Sequence, residues 1–489
     1  MEREIRIAGA PLLAALWVCA VAPSGCGGHS DRQPDAGPGY DWPTCERIDA
    51  DSTLAAKAAA FDRIARERHL AGDGLLRSII LSEDLQSIQS WMHAENTILW
   101  SGIYLASQAL RYRVTGNPQA QQNARLVVAA LRQLTEVTGV VGLYGRSFAK
   151  PGVAYNYDGR DTPSWTRSPA AAYEGWWYRN DVSQDGYAGL MFGYAAAVEH
   201  FDDPALLAEV RSLLAEIGDH LVSHGLQIFD ADGEVTEHGR LYHSAMDNFP
   251  GFNAMLASSF IKVVQQATGD EQLDDFYYGC LMQTRRGVEC PDIEDFELGT
   301  YLESMEDYLY LFLPGCVQNY DNFDMCYQAI YPLLRREQDP DLHARLLGVL
   351  RQHMFHTEEP DTQSVAVIGN AMYTFIYAGL TGDDAASHPV LAAAVDDAVC
   401  TLKRFPAEKF DRYIPAGQQE AVCLNRRDDP IAAEPIPLEE FHFDNYLWRL
   451  DFFKIQPERP ENRQRIYSPE DFLIAYWLGR YHGLIGPEL

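Results

Sequence analysis

The chain has 489 residues, 47% of them hydrophobic, and a formal net charge of −31 from 39 Lys and Arg against 70 Asp and Glu. This length and composition are enough to bury a large core. The acidic excess argues against nucleic acid as a partner and against docking on an anionic bilayer by charge, because both need clustered cations. An anionic polysaccharide substrate would need a local basic pocket.

The N-terminal residues have the pattern of an export signal. Two arginines flank the start of an apolar run, Ile7 to Ala22, that is too short to span a bilayer comfortably. The run leads to Ala-Pro-Ser-Gly-Cys, ending at Cys26, which resembles a bacterial lipobox with a lipid-modified cysteine. We predict a signal peptide over 1–25, a lipid anchor at Cys26 and a flexible tether over 26–50.

The predicted location follows from this anchor. We expect a lipoprotein of the cell envelope, at the outer membrane or cell surface, that meets the membrane only through its lipid; free secretion is the alternative. An exported protein can oxidise its cysteines. The locally plausible pairs are Cys280–Cys290, Cys316–Cys326 and Cys400–Cys423, with Cys45 left over. Sequence alone does not fix this connectivity.

From Ser52 onward, apolar residues recur at helical spacing, and the helices come in pairs joined by short turns. In these turns a glycine ends one helix, or Asn-Pro or Asp-Pro begins the next. The predicted pairs are 93–114 with 119–137, 186–199 with 205–223, 252–267 with 271–284, 324–337 with 341–353, and 365–380 with 385–403. The helices predicted at 52–70 and 469–483 lack such partners, and pairing them closes a ring of six hairpins.

Long connections link one hairpin to the next, whereas the turns within hairpins are short. In an up-and-down arrangement, all of the long connections lie at the same end of the ring. These connections hold most of the tryptophan, histidine and acidic clusters of the chain, and long loops on a rigid scaffold are where binding usually occurs. We therefore expect one functional rim.

Three segments near this rim resemble the six-hairpin (α/α)6 glycosidase superfamily. They are His-Ala-Glu-Asn-Thr-Ile-Leu-Trp-Ser-Gly (93–102), Asn-Asp-Val-Ser-Gln-Asp-Gly-Tyr-Ala-Gly (180–189) and His-Ser-Ala-Met-Asp-Asn-Phe-Pro-Gly-Phe-Asn (243–253). The resemblance implies an all-α fold, a single (α/α)6 toroid over 51–489, and a carbohydrate substrate. It does not select one activity, because the superfamily includes hydrolases, unsaturated-uronide hydrolases, epimerases and domains of polysaccharide lyases.

Glycoside hydrolysis uses two carboxyl groups, one to protonate the leaving oxygen and one to activate water or attack. We predict Asp185 and Glu95 as this pair, with Asp247 as a third candidate. Each has a structural alternative, as an acid in the first turn of a helix or as an N-cap. Residues expected to bind substrate are Trp91, Asn96, Trp176, Trp177, Arg179, Tyr187, Tyr242, His243 and Asn248.

Two other functions stay open at this point. A polysaccharide lyase or epimerase would use Tyr242 or His243 as its base, with an arginine or Asn248 neutralising the substrate carboxylate. A non-catalytic glycan-binding surface lipoprotein needs no catalytic pair. No cofactor or metal is predicted, since Asp230-Ala-Asp232-Gly-Glu imitates only the first part of a calcium loop.

Overall fold

The described residues contain thirteen α-helices, joined by short turns within the hairpins and by long connections between them. The computed structural model describes residues 53–92, 96–156, 164–245, 249–291, 293, 299–311, 316–355, 364–383, 388–443 and 446–489, so the predicted signal peptide, anchor and tether lie outside it. The helices are α1 Leu54–Ile64, α2 Thr97–Thr115, α3 Pro118–Glu136, α4 Gln184–His200, α5 Pro204–Ser223, α6 Pro250–Thr268, α7 Glu271–Asp275, α8 Tyr301–Tyr308, α9 Tyr320–Arg336, α10 Pro340–Val349, α11 Ala371–Thr381, α12 Pro389–Arg404 and α13 Glu470–Tyr481.

Six of these helices form a closed inner ring. In chain order, α2, α4, α6, α9, α11 and α13 each contact the next, and α13 contacts α2. Outside them, α3, α5, α7, α10 and α12 each pack on the inner helix that precedes them, and α1 packs on α13. The first and last helices thus make the sixth hairpin, and the predicted all-α (α/α)6 toroid is confirmed.

The hairpin turns form as their sequences predict. Four outer helices are capped by the side chain of the residue before them, which accepts hydrogen bonds from backbone N–H groups of the first turn: Asn117, Asp203, Asp270 and Asp339. Three inner helices end at a glycine in the left-handed region: Gly116, Gly269 and Gly382. Such a conformation strains any residue with a side chain, which explains glycine at these turns.

Three inner helices begin four or more residues from their predicted starts. Helix α2 begins at Thr97 rather than at 93. Helix α11 begins at Ala371, because Val365–Val367 form a separate 3-10 turn and Asn370 caps the helix. Helix α9 begins at Tyr320, four residues before the predicted Asp324, and this places Asp321 in its first turn. A short additional helix, α8, lies in the connection before α9 and begins with a capping box between Thr300 and Glu303.

Short antiparallel strands occur in the long connections. They are β1 Ile79–Leu81, β2 Ile88–Trp91, β3 Ser147–Ala149, β4 Trp165–Arg167, β5 Trp177–Arg179, β6 Gln227–Phe229, β7 Val235–Arg240, β8 Phe410–Asp411, β9 Ala421–Leu424, β10 Pro430–Ala432 and β11 Asn462–Ile466. The largest sheet, in the order β2-β1-β11-β8, joins the first connection to the last. The hairpin β9–β10 lies within the last connection.

The disulfides show how the ring brings distant segments together. Cys280–Cys290 is confirmed, whereas Cys316 pairs with Cys423, 107 residues later, rather than with Cys326. Cys326 is a buried free thiol within α9. Cys400 is disulfide-bonded, but not to Cys423. The local pairing was thus right for one of the three pairs.

Among the described helices, none is long and apolar enough to cross a bilayer.

Candidate active-site cleft at one rim

A cleft of about 440 Å³ opens where α2 and α9 begin. Its walls include Asn96 and Trp100 from the start of α2, residues 318–321 from the start of α9, and parts of the last connection. The opposite ends of α2, α4, α9 and α13 meet around a separate depression that contains the turn residues Gly116 and Asp202. The long connections around the cleft and the hairpin turns therefore lie at opposite ends of the ring, as predicted.

Asp185 lies beside this cleft, in the first turn of α4. Its Oδ2 accepts a hydrogen bond from Asn96 Nδ2 at 2.5 Å, and its Oδ1 accepts one from the Gly186 backbone N–H at 2.9 Å. The Ser183 hydroxyl also donates to Oδ1. Ser183 occupies the N-cap position but makes no cap hydrogen bond, so its side chain orients the carboxylate instead. These three donors hold the Asp185 carboxylate in one orientation.

Arg449 lies between Asp185 and a second acid, Asp321. Its Nε is 3.0 Å from Asp321 Oδ1, and its Nη1 is 4.0 Å from Asp185 Oδ2. Because both nitrogens belong to one guanidinium group, the two carboxylates are no farther apart than the ~9.5 Å upper limit for glycosidase carboxyl pairs. Both carboxylates are partly exposed, at 21% and 31%, so solvent or a substrate can reach them.

Aromatic rings pack against the Arg449 guanidinium group. The Arg449 guanidinium lies 5.5 Å from the centre of the Trp100 ring, which packs 5.2 Å from Tyr446. Such a cation–π contact restricts the guanidinium and stabilises its charge. Trp100 is only 4% exposed, so its ring offers little surface for stacking on a sugar. These aromatic residues therefore act mainly by holding Arg449.

A third acid, Asp324, is buried one turn along α9 from Asp321. Its Oδ2 accepts a hydrogen bond from Gln328 Nε2 at 2.7 Å, while its Oδ1 has no partner among the described residues. Burial raises the pKa of Asp324 to about 7; Arg449 opposes this shift, and Asp321 and Asp185 reinforce it. Asp324 thus changes charge near neutral pH, one helical turn from the partly exposed Asp321.

The raised pKa of Asp324 predicts how stability depends on pH. Its pKa is higher in the folded state than in the unfolded state, so its contribution to stability is fully present below about pH 4 and is lost as pH rises through about 7. We expect Asp324→Asn to melt at a higher temperature than the wild type at pH 8 and to show a flatter profile between pH 4 and 8. Thermal melts across this range, by circular dichroism, test this. A variant with the same slope as the wild type would contradict it.

Most of the predicted aromatic residues pack away from the cleft. The Trp91 indole donates to the Arg68 carbonyl at 3.0 Å, and the Tyr187 hydroxyl donates to the Gly142 carbonyl at 2.9 Å inside the core. Trp176 packs 5.1 Å from Phe148. Trp177 lies in β5 under the guanidinium of Arg167. None of these four tryptophan and tyrosine side chains lines the cleft.

The remaining predicted residues have other positions. Tyr242 and His243 are buried, and His243 stacks on Tyr301 with its Nδ1 3.0 Å from Ser304 Oγ. Arg179 pairs with Ser147 within the β3-β5-β4 sheet, and it does not line the cleft. Glu95, Asp247 and Asn248 lie outside the described residues, and their roles stay predictions. The structure thus brings together Asp185 and Asn96 from the predicted set.

Sequence reasoning missed Asp321, Asp324 and Arg449. One signal was available, because Asp321 is the second residue of α9 just as Asp185 is the second residue of α4. The signal is not specific, since Asp471 holds the same place in α13 but is fully buried and ion-paired with Lys409 Nζ at 2.8 Å. Nothing in the sequence around Arg449 marks it.

Comparisons with known proteins give structural similarity only. No protein-family profile and no curated protein matches the sequence. The chain is similar to a sugar epimerase from a ruminal bacterium, with 11% identity, 87% of this chain and 96% of that chain covered, and a TM-score of 0.44. It is also similar to a glycoside hydrolase family 76 mannosidase from Bacteroides thetaiotaomicron, with 9% identity and a TM-score of 0.42. That alignment covers 88% of this chain and 98% of the mannosidase chain.

A third solved structure, a family 88 glycosyl hydrolase from Bacteroides vulgatus, shares 9% identity with the chain. The alignment covers 99% of that chain and 88% of this chain, with a TM-score of 0.37. At similarities this low, the fold assignment rests on the helix contacts of the ring, and any statement about activity rests on the cleft.

Proposed function

We propose that the protein is a carbohydrate-active enzyme that hydrolyses a glycosidic bond in the cleft. The observation that carries this proposal is the placing of two partly exposed acids on either side of Arg449. Asp321 lines the cleft, and Asp185 lies beside it, hydrogen-bonded to the lining residue Asn96. Two carboxyl groups at such a spacing suit glycoside hydrolysis, in which one protonates the leaving oxygen and the other activates water or attacks.

The alternative of a lyase or epimerase receives less support from the described residues. The Tyr242 and His243 side chains that would supply its base are buried and do not line the cleft. A non-catalytic glycan binder stays an outcome of the activity test, because a cleft can bind without reacting. We also propose that the protein is exported; the disulfides Cys280–Cys290 and Cys316–Cys423 support an oxidising compartment.

A glycan screen tests the proposed activity. The purified protein is incubated with polysaccharides and oligosaccharides of varied composition, and both new reducing ends and the ultraviolet absorbance of unsaturated products are measured. Hydrolysis produces reducing ends without that absorbance, whereas a lyase produces both. Retention on a glycan in affinity electrophoresis without any product would identify a binder. If no glycan is bound or cut, the carbohydrate proposal is wrong.

A further inference from the structure

The charge of the cleft differs from that of the whole protein. The chain has a formal net charge of −31. The cleft nevertheless has four basic side chains, against three acids that line it, Asp321, Asp429 and Asp451. The basic residues are Arg426, Arg427, Arg449 and Lys454. With Asp185 beside the cleft, basic and acidic side chains are equal in number there, whereas acids outnumber bases 70 to 39 in the whole chain. The cleft is thus richer in basic side chains than the rest of the protein.

Two of these four cations have unused capacity to bind an anion. Arg449 and Lys454 are each within 3.0 Å of an acid, Asp321 and Asp429 respectively. Arg427 reaches Asp321 only at 3.8 Å, with its side chain 68% exposed. Arg426 is also exposed and makes no ion pair within the part of the chain that the structure describes. Adjacent arginines with free donors can bind a carboxylate or a sulfate through several hydrogen bonds.

The hairpin that carries these arginines is held in place; we call β9, β10 and the turn between them the basic hairpin. Cys423 in β9 is disulfide-bonded to Cys316 in the connection that precedes α9. Within the turn, Asn425 Oδ1 accepts hydrogen bonds from the Arg427 and Asp429 backbone N–H groups, at 2.8 and 3.0 Å. A backbone fixed in this way loses little entropy on binding, so the turn keeps both arginines at the cleft.

The helices of the ring add to the positive potential here. Helices α2 and α9 both begin at the cleft, so their N-terminal ends point toward it. The N-terminus of a helix carries a partial positive charge, which stabilises a nearby anion. This contribution adds to that of the basic hairpin and has the same sign.

We propose that the saccharide bound in this cleft carries an anionic group, a carboxylate or a sulfate, that Arg426 and Arg427 bind. The proposal rests on the proposed function and adds the substrate class. Arg427 lies 3.8 Å from Asp321, so the anionic group binds next to the reacting bond. Arg426 and Arg427 are then the residues that distinguish charged from neutral sugars.

The test compares matched saccharides that differ only in charge. Oligogalacturonides and their methyl esters form the carboxylate arm, and carrageenan oligosaccharides with and without their sulfate groups form the sulfate arm. Affinity is measured by isothermal titration calorimetry for the wild type and for the double variant R426Q/R427Q. A second double variant, R63Q/R463Q, also removes two positive charges, but from exposed positions outside the cleft.

We expect the wild type to bind the charged member of at least one pair more tightly than its neutral analogue. The R426Q/R427Q variant should lose about 10- to 100-fold in affinity for that charged saccharide, as for hydrogen bonds to charged groups, and should bind the neutral analogue as the wild type does. The R63Q/R463Q variant should retain the preference. High salt should weaken binding of the charged saccharide in the wild type.

Three results would overturn the inference: equal affinity of the wild type for charged and neutral members, a preference that persists in R426Q/R427Q, and no binding in either arm. The proposed function fails separately. Cleavage of a neutral glycan that depends on Asp185 would keep the hydrolase assignment while removing the anionic substrate. Thermal melting of each double variant shows whether a loss of binding follows from unfolding.

Discussion

Replacing Asp185 with asparagine is expected to lower kcat by about 1,000-fold on whichever glycan the screen identifies, with KM changed little. The reason is that the asparagine oxygen can still accept the hydrogen bonds from Ser183 and Gly186, and its amide nitrogen can donate to Asn96 Oδ1 once the Asn96 amide turns over. The amide cannot transfer a proton or attack. A positioned acid or base typically contributes ~10²–10⁴-fold. Asp321→Asn should produce a loss of similar size, since hydrolysis needs both carboxyl groups. Steady-state kinetics on the purified variants measure both effects.

The matched control is Asp341→Asn. Asp341 is an exposed acid in the first turn of an outer helix, α10, and does not line the cleft. Its replacement should leave kcat unchanged, and all three variants should melt close to the wild type. If Asp185→Asn and Asp321→Asn are as active as Asp341→Asn, the two acids are not the catalytic pair.

The second large effect concerns the contact between α2 and α4. Gly102 in α2 faces Gly189 and Gly193 in α4, so the two backbones touch. A methyl group on Gly102 would overlap the Gly189 carbonyl oxygen and would lie 2.7 Å from the Leu190 backbone nitrogen. Backbone atoms of a packed helix cannot move aside cheaply. Overpacking of this kind costs about 3 kcal/mol, against about 1 kcal/mol gained from the higher helix propensity of alanine.

We therefore expect Gly102→Ala to lower the free energy of unfolding by about 2 kcal/mol. Gly348→Ala is the control, because Gly348 is also helical, in α10, and an added methyl group there would meet no atom within 4 Å. That change should raise the free energy of unfolding by about 0.5–1 kcal/mol, through helix propensity alone. Urea titrations compare the two. Equal effects of the two substitutions would show that the close helix contact is not what requires glycine.

The hairpin turns show what could be predicted locally. Asn117 caps α3, Asp203 caps α5, and Gly116 ends α2, as the short sequence motifs indicate. These interactions join atoms a few residues apart, so they depend little on the rest of the chain. Repetition of the turns was enough to predict the ring of hairpins.

The tryptophan-rich segment before α4 shows what composition alone does not decide. Its composition indicated a sugar-binding surface, but Trp176 packs on Phe148 and Trp177 lies in the β3-β5-β4 sheet. The same residue types serve for packing and for binding, and the sequence does not say which surface meets the solvent. Only the arrangement of neighbouring strands decided the matter.

By itself, the sequence determined the alternation of inner and outer helices and their capped turns, because each depends on interactions between near neighbours in the chain. The tertiary structure alone decided that Arg449 joins Asp185 to Asp321 and that Cys316 bonds to Cys423. Asp185 and Asp321 begin two different inner helices, whereas Arg449 and Cys423 belong to the last connection. They meet because this connection packs against the start of α9, a contact between residues more than 100 positions apart that no local pattern encodes.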